Sequence, residues 1–161
     1  MLQLYASGLK MTEEKATYNY HPIQLRDVKV LELFISANPS CMSEHDSDCG
    51  IETSEFGFYH THSKYNKEAK SFIVKVAAVI GQEDETEKHT TEFDLKVELL
   101  GVFEVDEDNF PMEYIDAFAS KNAPLIMYPY LREQVYSLTT RAGFDSTVLP
   151  LFEIPVFKLK K

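Results

Sequence analysis

The chain has 161 residues, and its shares of apolar residues (44%) and charged residues (26%) are typical of one globular domain. Its formal net charge is −10, and the segment from Glu83 to Asp108 carries eleven acids against two bases. Such a charge repels a phosphate backbone, so the composition argues against nucleic-acid binding. The acidic segment suits a basic protein partner, and solubility alone explains it equally well.

No apolar run approaches the ~18 residues of a transmembrane helix, so no membrane insertion is expected. The first twenty residues lack a continuous apolar stretch preceding a cleavage site, and a secretory signal is therefore not predicted. We accordingly expect a cytoplasmic protein in which Cys41 and Cys49 are reduced thiols.

Residues 1–22 show no clear pattern and are interpreted as an N-terminal arm that precedes a domain of residues 23–161. Alternating or β-branched apolar residues predict four strands, at 23–35, 55–62, 69–80 and 90–105. The alternation loses phase at residues 25–28, which suggests a β-bulge, and Gly101 suggests a second bulge or kink. Four strands without an intervening helix favour an antiparallel meander.

Two helices are predicted after the strands. The first begins at Pro111 and is stopped by residues 122–124, and the second begins near Pro129 and ends at Gly143, which is suited to a left-handed cap. The apolar, proline-containing residues 144–157 predict an extended tail that packs against the domain. The fold class is thus α+β: a four-stranded antiparallel sheet, two helices and an extended tail.

Motifs for catalysis are absent from the sequence, which has neither a glycine-rich phosphate loop nor a nucleophile elbow. Cys41, His45 and Cys49 carry zinc-type ligands, but their spacing fits no strong zinc signature, and a polar loop is the better interpretation. His60 and His62 share a strand face without a third ligand. We therefore predict no catalytic residue, no metal ion and no other cofactor, and a binding protein rather than an enzyme.

Four segments in a fixed order resemble the SecB family of bacterial protein-export chaperones. They are residues 99–105 (LLGVFEV), 123–133 (APLIMYPYLRE), 141–144 (RAGF) and 148–151 (VLPL). The family has a similar glycine-containing end of its fourth strand, and a Pro-Tyr-x-Arg-Glu segment opens its main helix. The order of four strands before two helices also agrees.

The resemblance implies an ATP-independent holdase that assembles as a tetramer, a dimer of dimers. Its partners would be unfolded preproteins held in long apolar grooves. Aromatic grooves suit this work because they bind apolar area rather than one sequence. The groove positions of the family correspond here to Phe56, Phe58, Leu125, Ile126, Tyr128, Phe144, Leu151 and Phe152.

The resemblance also implies a docking site for SecA, the export motor, in which Glu32 stands at the first acidic position. The other positions depart from the family, because Ser36 and Lys96 stand where acids belong and Asp94 stands where an apolar residue belongs. Our hypothesis is that Glu92, Asp94 and Glu98 substitute for the missing acids, so the docking residues would include Glu32, Asp94 and Glu98. These departures favour, as an alternative, a dedicated SecB-like chaperone for the antitoxin of a toxin–antitoxin system. A third reading is an oligomeric adaptor that keeps the fold without general client binding.

Overall fold

A computed structural model describes residues 15–41, 56–81 and 91–153. Four antiparallel strands form one sheet, which two helices and an extended tail follow. The elements are β1 (Ile23–Ala37), β2 (Gly57–His62), β3 (Ser71–Ile80), β4 (Phe93–Val105), α1 (Ile115–Lys121) and α2 (Ala123–Arg141). The predicted α+β class is confirmed. The first 14 residues, most of the loop before β2, the acidic connection 82–90 and the end of the tail lie outside the described residues.

The strand order is β1-β4-β3-β2, with every neighbouring pair antiparallel. Strands β2, β3 and β4 form the predicted meander, but β1 pairs with β4 instead of β2, as in a Greek key. The reason lies in β4, whose 13 residues alternate between buried and partly buried along nearly the whole strand. A strand of this kind needs a hydrogen-bonding neighbour on both sides, and β1 supplies the second one.

The core lies between the inner face of the sheet and α2. Met127, Leu131 and Val135 of α2 are fully buried and are spaced four residues apart, which places them on one side of the helix. They face alternate residues of β3 and β4. The largest of these are Phe72, Ile80, Phe93, Leu95, Leu99 and Phe103. Each such side chain contributes about 1.5–3 kcal/mol of burial free energy.

The predicted bulge in β1 is confirmed, because the register against β4 shifts between Leu25 and Asp27 and again between Val30 and Glu32. Gly101, by contrast, lies in regular pairing with β3 and does not mark a bulge. A Cβ at this position would stand 2.4 Å from the Sδ of Met127. The glycine therefore permits α2 to approach the sheet closely.

The second helix begins six residues earlier than predicted, at Ala123 instead of near Pro129. Pro124 stands in its first turn, where the missing N–H has no acceptor to lose. Pro129 lies inside the helix and leaves the carbonyl of Leu125 without its usual donor, but it lies on the exposed side. The end of the helix is as predicted, since Gly143 has a φ of 86°.

Cys41 ends a short 3-10 turn, Pro39–Cys41, and is buried. It is disulfide-bonded, so the prediction of a reduced thiol is wrong for this residue. The turn holds its main chain in place, because the Cys41 N–H donates to the carbonyl of Asn38 over 3.0 Å.

Candidate functional site

Four aromatic side chains from three parts of the chain meet beside β2, and we call them the aromatic cluster. They are Phe56, Phe58, Tyr128 and Phe152. The ring centres of Tyr128 and Phe152 are 4.5 Å apart, and that of Phe58 lies 5.2 Å from Phe152 and 5.3 Å from Tyr128. Phe56 is 6.1 Å from Phe152. The spacings are those of attractive aromatic contacts, so the cluster is one packed apolar surface.

Local structure explains why these rings meet. Phe58 lies on the inner face of β2 and is paired across the strands with Ala78. Because alanine is small, the phenyl ring can lie over β3 and reach the helix. Tyr128 belongs to the buried side of α2 that also carries Leu131, and only 4% of its surface is exposed. The cluster therefore joins the edge of the sheet to the helix.

The tail is tied to α2 by two hydrogen bonds. The Tyr128 hydroxyl donates to the carbonyl of Pro150 over 2.5 Å, and the Arg132 Nε donates to the carbonyl of Leu149 over 2.8 Å. Burial raises the pKa of Tyr128 above its ordinary value, and the nearby Arg132 charge lowers it by less. The phenol therefore keeps its proton at neutral pH and remains a donor.

Apolar surface is accessible beside the cluster. Phe152 is 38% exposed and Leu151 is 77% exposed, although both are large apolar residues. Phe56 and Phe58 are partly buried, and on α2 the side chain of Ile126 is 41% exposed. We call the surface of β2 and α2 against which the tail packs the groove. It is formed by Phe56, Phe58 and Tyr128, and the ring of Phe152 in the tail contacts all three.

The structure brings together four of the eight residues predicted for the groove, namely the aromatic cluster. Leu125 and Ile126 lie in the first turn of α2, partly buried and exposed respectively, and Leu151 lies in the tail. Phe144 contacts a different ring, that of Phe93, at 4.7 Å. It lies in the residues that follow α2, and within the described residues it has no ring contact with the cluster.

Two residues beside the groove were not predicted from the sequence to belong to it. The His60 ring lies 5.9 Å from that of Phe58, on the same face of β2. Arg132 fixes the tail through its bond to Leu149. The Pro-Tyr-x-Arg-Glu segment contained a signal for Arg132, but only the folded tail shows what the arginine bonds.

The outer edge of β2 is open. The N–H of Ser63 donates to the carbonyl of Ile73 over 2.9 Å, so the main chain of odd-numbered residues on β2 faces β3. The main-chain groups of Phe58 and His60 must then face away from the sheet. No hydrogen-bond partner for them is found within the described residues. An extended peptide could therefore pair with this edge.

The three acids predicted for SecA docking share the outer face of the sheet, since Glu32 pairs with Glu98 and Ser36 with Asp94. Lys96 lies between them. Its Nζ is 2.5 Å from a carboxylate oxygen of Glu32 and 3.9 Å from one of Glu98. The hydrogen bond with Glu32 raises the pKa of Lys96.

Lys75 adds a second cation to the same row, 3.4 Å from a carboxylate oxygen of Glu98. Asp94 accepts a hydrogen bond from the Asn38 side chain. The row across β1, β4 and β3 thus alternates acid and base, Glu32, Lys96, Glu98 and Lys75. Much of the acidic character of this face is neutralised within the molecule.

Metal binding finds no support in the part of the chain that the structure describes, where no group of three potential ligands occurs. The predicted pair of His60 and His62 does lie on one strand face, but His62 Nδ1 lies 3.0 Å from the carbonyl of Ser63. His45 and Cys49 lie outside the described residues. Among residues 15–41, 56–81 and 91–153, no helix is long and apolar enough to cross a membrane.

The fold and the groove define an α+β protein in which a helix-backed antiparallel sheet carries an aromatic groove beside an unpaired strand edge. The chain belongs to the SecB family: the family's sequence pattern, described as preprotein translocase subunit SecB, matches residues 54–154. The resemblance seen in the sequence is thereby confirmed.

Individual relatives agree with this family. The chain is 37% identical over 59 residues to the protein-export protein SecB of Methylobacillus flagellatus, covering 37% of this chain and 36% of the relative. It is 30% identical over 88 residues to the protein-export protein SecB of Anaplasma phagocytophilum, covering 54% and 55%. The matched parts therefore span about half or less of these relatives.

A solved structure shares the fold. It is the Mycobacterium tuberculosis Rv1957 SecB-like chaperone in complex with a ChAD peptide from the Rv1956 HigA1 antitoxin. The TM-score is 0.59 at 20% sequence identity, and the match covers 84% of this chain and 94% of that chain. At this identity the likeness establishes the SecB-like fold.

Proposed function

We propose that this protein is an ATP-independent holdase chaperone that keeps unfolded or nascent polypeptides soluble and competent for export. The observation that carries the proposal is the partly exposed aromatic cluster between β2 and α2. The sequence contains no nucleotide-binding motif. The SecB family consists of chaperones, which are in general not enzymes. The protein would act by binding alone.

The chemistry of the groove suits an unfolded client. An unfolded chain exposes apolar side chains, which gain about 25 cal/mol for each Å² removed from water. It also exposes main-chain N–H and C=O groups, which the open edge of β2 can pair. Neither interaction reads a particular sequence, so one groove can hold many clients.

A dedicated antitoxin client is the alternative within the same class. It is favoured by the fold shared with a SecB-like chaperone whose structure contains an antitoxin peptide. It is also favoured by Lys96, which neutralises acids that would attract SecA. General preproteins with SecA as a partner, and one antitoxin without SecA, are distinguished by what co-purifies with the tagged protein from its native cells.

The cytoplasm is part of the proposal, because nascent clients arise there. Fractionation of the native cells tests this point: the protein should be recovered with the cytoplasmic fraction, and recovery with an exported fraction would contradict it.

The proposed function is tested by aggregation of a chemically unfolded client that is diluted into buffer. We expect near-stoichiometric amounts of the protein to suppress light scattering without nucleotide, and added ATP to change nothing. A requirement for ATP would contradict the holdase mechanism. Absence of any suppression by a folded, oligomeric protein would favour the adaptor reading instead.

A matched pair of variants connects this activity to the groove. Ile126→Ser removes an exposed apolar side chain at the start of α2, and Tyr114→Ser removes one of 53% exposure that lies before α1. Both should leave the unfolding temperature nearly unchanged, because neither residue is in the core. Only the Ile126 variant should suppress aggregation less effectively.

A further inference from the structure

The tail lies against β2 and α2. Residues 147–153 have no regular secondary structure, yet Leu149 is only 1% exposed and Phe152 packs into the aromatic cluster. Val148 and Leu151, in contrast, are 51% and 77% exposed. The segment thus inserts the side chain of Leu149 into the core and, three positions later, the ring of Phe152 into the aromatic cluster.

The helix holds this segment chiefly by its main chain. Both hydrogen bonds from α2, those of Tyr128 and Arg132, end on backbone carbonyls of the tail. Every polypeptide has such carbonyls, so these two donors would accept another extended segment in the same place.

The side-chain contacts of Phe152 are similarly unspecific. Its ring contacts Phe56, Phe58 and Tyr128, and more than a third of its surface remains exposed. Any aromatic side chain of similar size could fill the same place. A residue that is only partly buried near the end of a non-helical segment also has a low cost of release.

We propose that the segment Leu149–Phe152 is an internal ligand of the groove, and that clients bind by displacing it. The preferred client segment is then extended, with an apolar residue followed three positions later by an aromatic one. Its carbonyls accept hydrogen bonds from Arg132 and Tyr128. The inference rests on the proposed function and names the class of peptide that the groove selects.

An internal ligand lowers the apparent affinity for every client in proportion to the fraction of molecules whose groove is open. Removing the ring of Phe152 should therefore increase affinity, whereas removing part of a rigid groove wall should decrease it. The direction of change separates the two roles of this residue.

The test uses a fluorescent peptide with the sequence of residues 147–153, TVLPLFE, whose binding to the full-length protein is followed by anisotropy. We expect the Phe152→Ala protein to bind it about tenfold more tightly than the unmodified protein does. The Val148→Ala protein, altered at an exposed tail position outside the cluster, should bind with unchanged affinity. A peptide with alanine in place of its phenylalanine should bind weakly to all three proteins.

Tyr128→Phe gives a second measurement. It removes a hydrogen bond that the tail and the bound peptide would both accept, so it should leave the apparent peptide affinity nearly unchanged, in contrast to Phe152→Ala. Thermal unfolding of each variant confirms that it is folded.

Unchanged or weaker peptide binding by Phe152→Ala, in a protein that still suppresses aggregation, would overturn the internal ligand and leave the holdase standing. Failure of the unmodified protein and of the Phe152→Ala protein alike to suppress aggregation would overturn both proposals.

Discussion

At the scale of single residues, Tyr128 combines a core ring with a hydrogen bond to the tail. Tyr128→Phe should lower the free energy of unfolding by about 1 kcal/mol, the usual contribution of one hydrogen bond. Tyr128→Ala should cost about 3–5 kcal/mol, because the ring is buried between β2 and α2. Denaturant unfolding measures both values. Equal losses for the two variants would mean that the hydrogen bond, and not the ring, holds the groove together.

Lys96 is the residue that decides the character of the outer face. Lys96→Gln removes the cation that pairs with Glu32, so the acids of this face would attract a basic partner more strongly. We expect the affinity for purified SecA to rise by about two- to fivefold at low salt, where such charges are least screened. Lys121→Gln, the same charge change at the end of α1, should have no effect.

If Lys96→Gln left SecA binding undetectable, the acids Glu32, Asp94 and Glu98 would not form a docking site. The outer face would then have no assigned partner, and the result would favour a dedicated antitoxin client without SecA. Reversing the charge of those three acidic side chains provides the complementary measurement, because this change must abolish any SecA affinity that depends on them.

At the scale of elements, Tyr65 connects the turn between β2 and β3 to the residues after β4. Its hydroxyl donates to Glu107 over 2.8 Å. Burial, followed by the hydrogen bond and charge of Glu107, raises the pKa of Tyr65 to about 12. The folded state therefore favours the protonated phenol. This contribution to stability is complete below pH 10 and is lost as the pH rises through about 12.

Replacement of Tyr65 by phenylalanine should remove that part of the alkaline destabilisation. The unfolding temperatures of the two proteins should differ most near neutral pH and converge as the pH approaches 12. A difference that stays constant between pH 8 and pH 12 would show that the pKa of Tyr65 does not change on folding.

Strands and helices were predicted correctly where the pattern of apolar residues within one element is sufficient to identify it. The alternation along β4 and the loss of phase at Leu25 both identify what the structure contains. The start of α2 was missed because Pro124 was interpreted as a break and Pro129 as the start of the helix, although each proline is tolerated within α2 for a local reason. The pairing of β1 with β4 was missed because strand order depends on long-range contacts that no local pattern contains.

The same division applies to the candidate site. The aromatic residues of the groove could be proposed from the sequence, because the resemblance supplied their positions. Their mutual contacts could not, and neither could the bond from Arg132 to the tail, since a single hydrogen bond across 17 residues leaves no periodic signal. Lys96 was recognised as a departure, but its pairing with Glu32 depends on the register between β1 and β4.

At the scale of the whole molecule, helix α2 leaves uncovered the part of the inner sheet face that β1 forms. Helix α2 lies over β3 and β4, so apolar side chains on the inner face of β1 remain accessible. Val30 and Leu33 are 50% and 41% exposed, and Tyr130 of α2, facing the same region, is 48% exposed. Beside this surface, no strand within residues 15–41, 56–81 and 91–153 pairs with the outer edge of β1 along its 15 residues. An exposed edge of this length is normally protected, and a second copy of the chain would cover both features.

The assembly follows as the last prediction. We expect light scattering to give four times the chain mass of 18.5 kDa at micromolar concentration. Val30→Lys places a charge on the uncovered inner face and should reduce the species to dimers or monomers, because an unpaired charge is costly to bury. Ile73→Lys makes the same change on the outer face, at a similarly exposed position of 40%, and should leave the mass unchanged. A monomeric unmodified protein, or a Val30→Lys protein that stays tetrameric, would contradict assembly through β1 and require another cover for its edge.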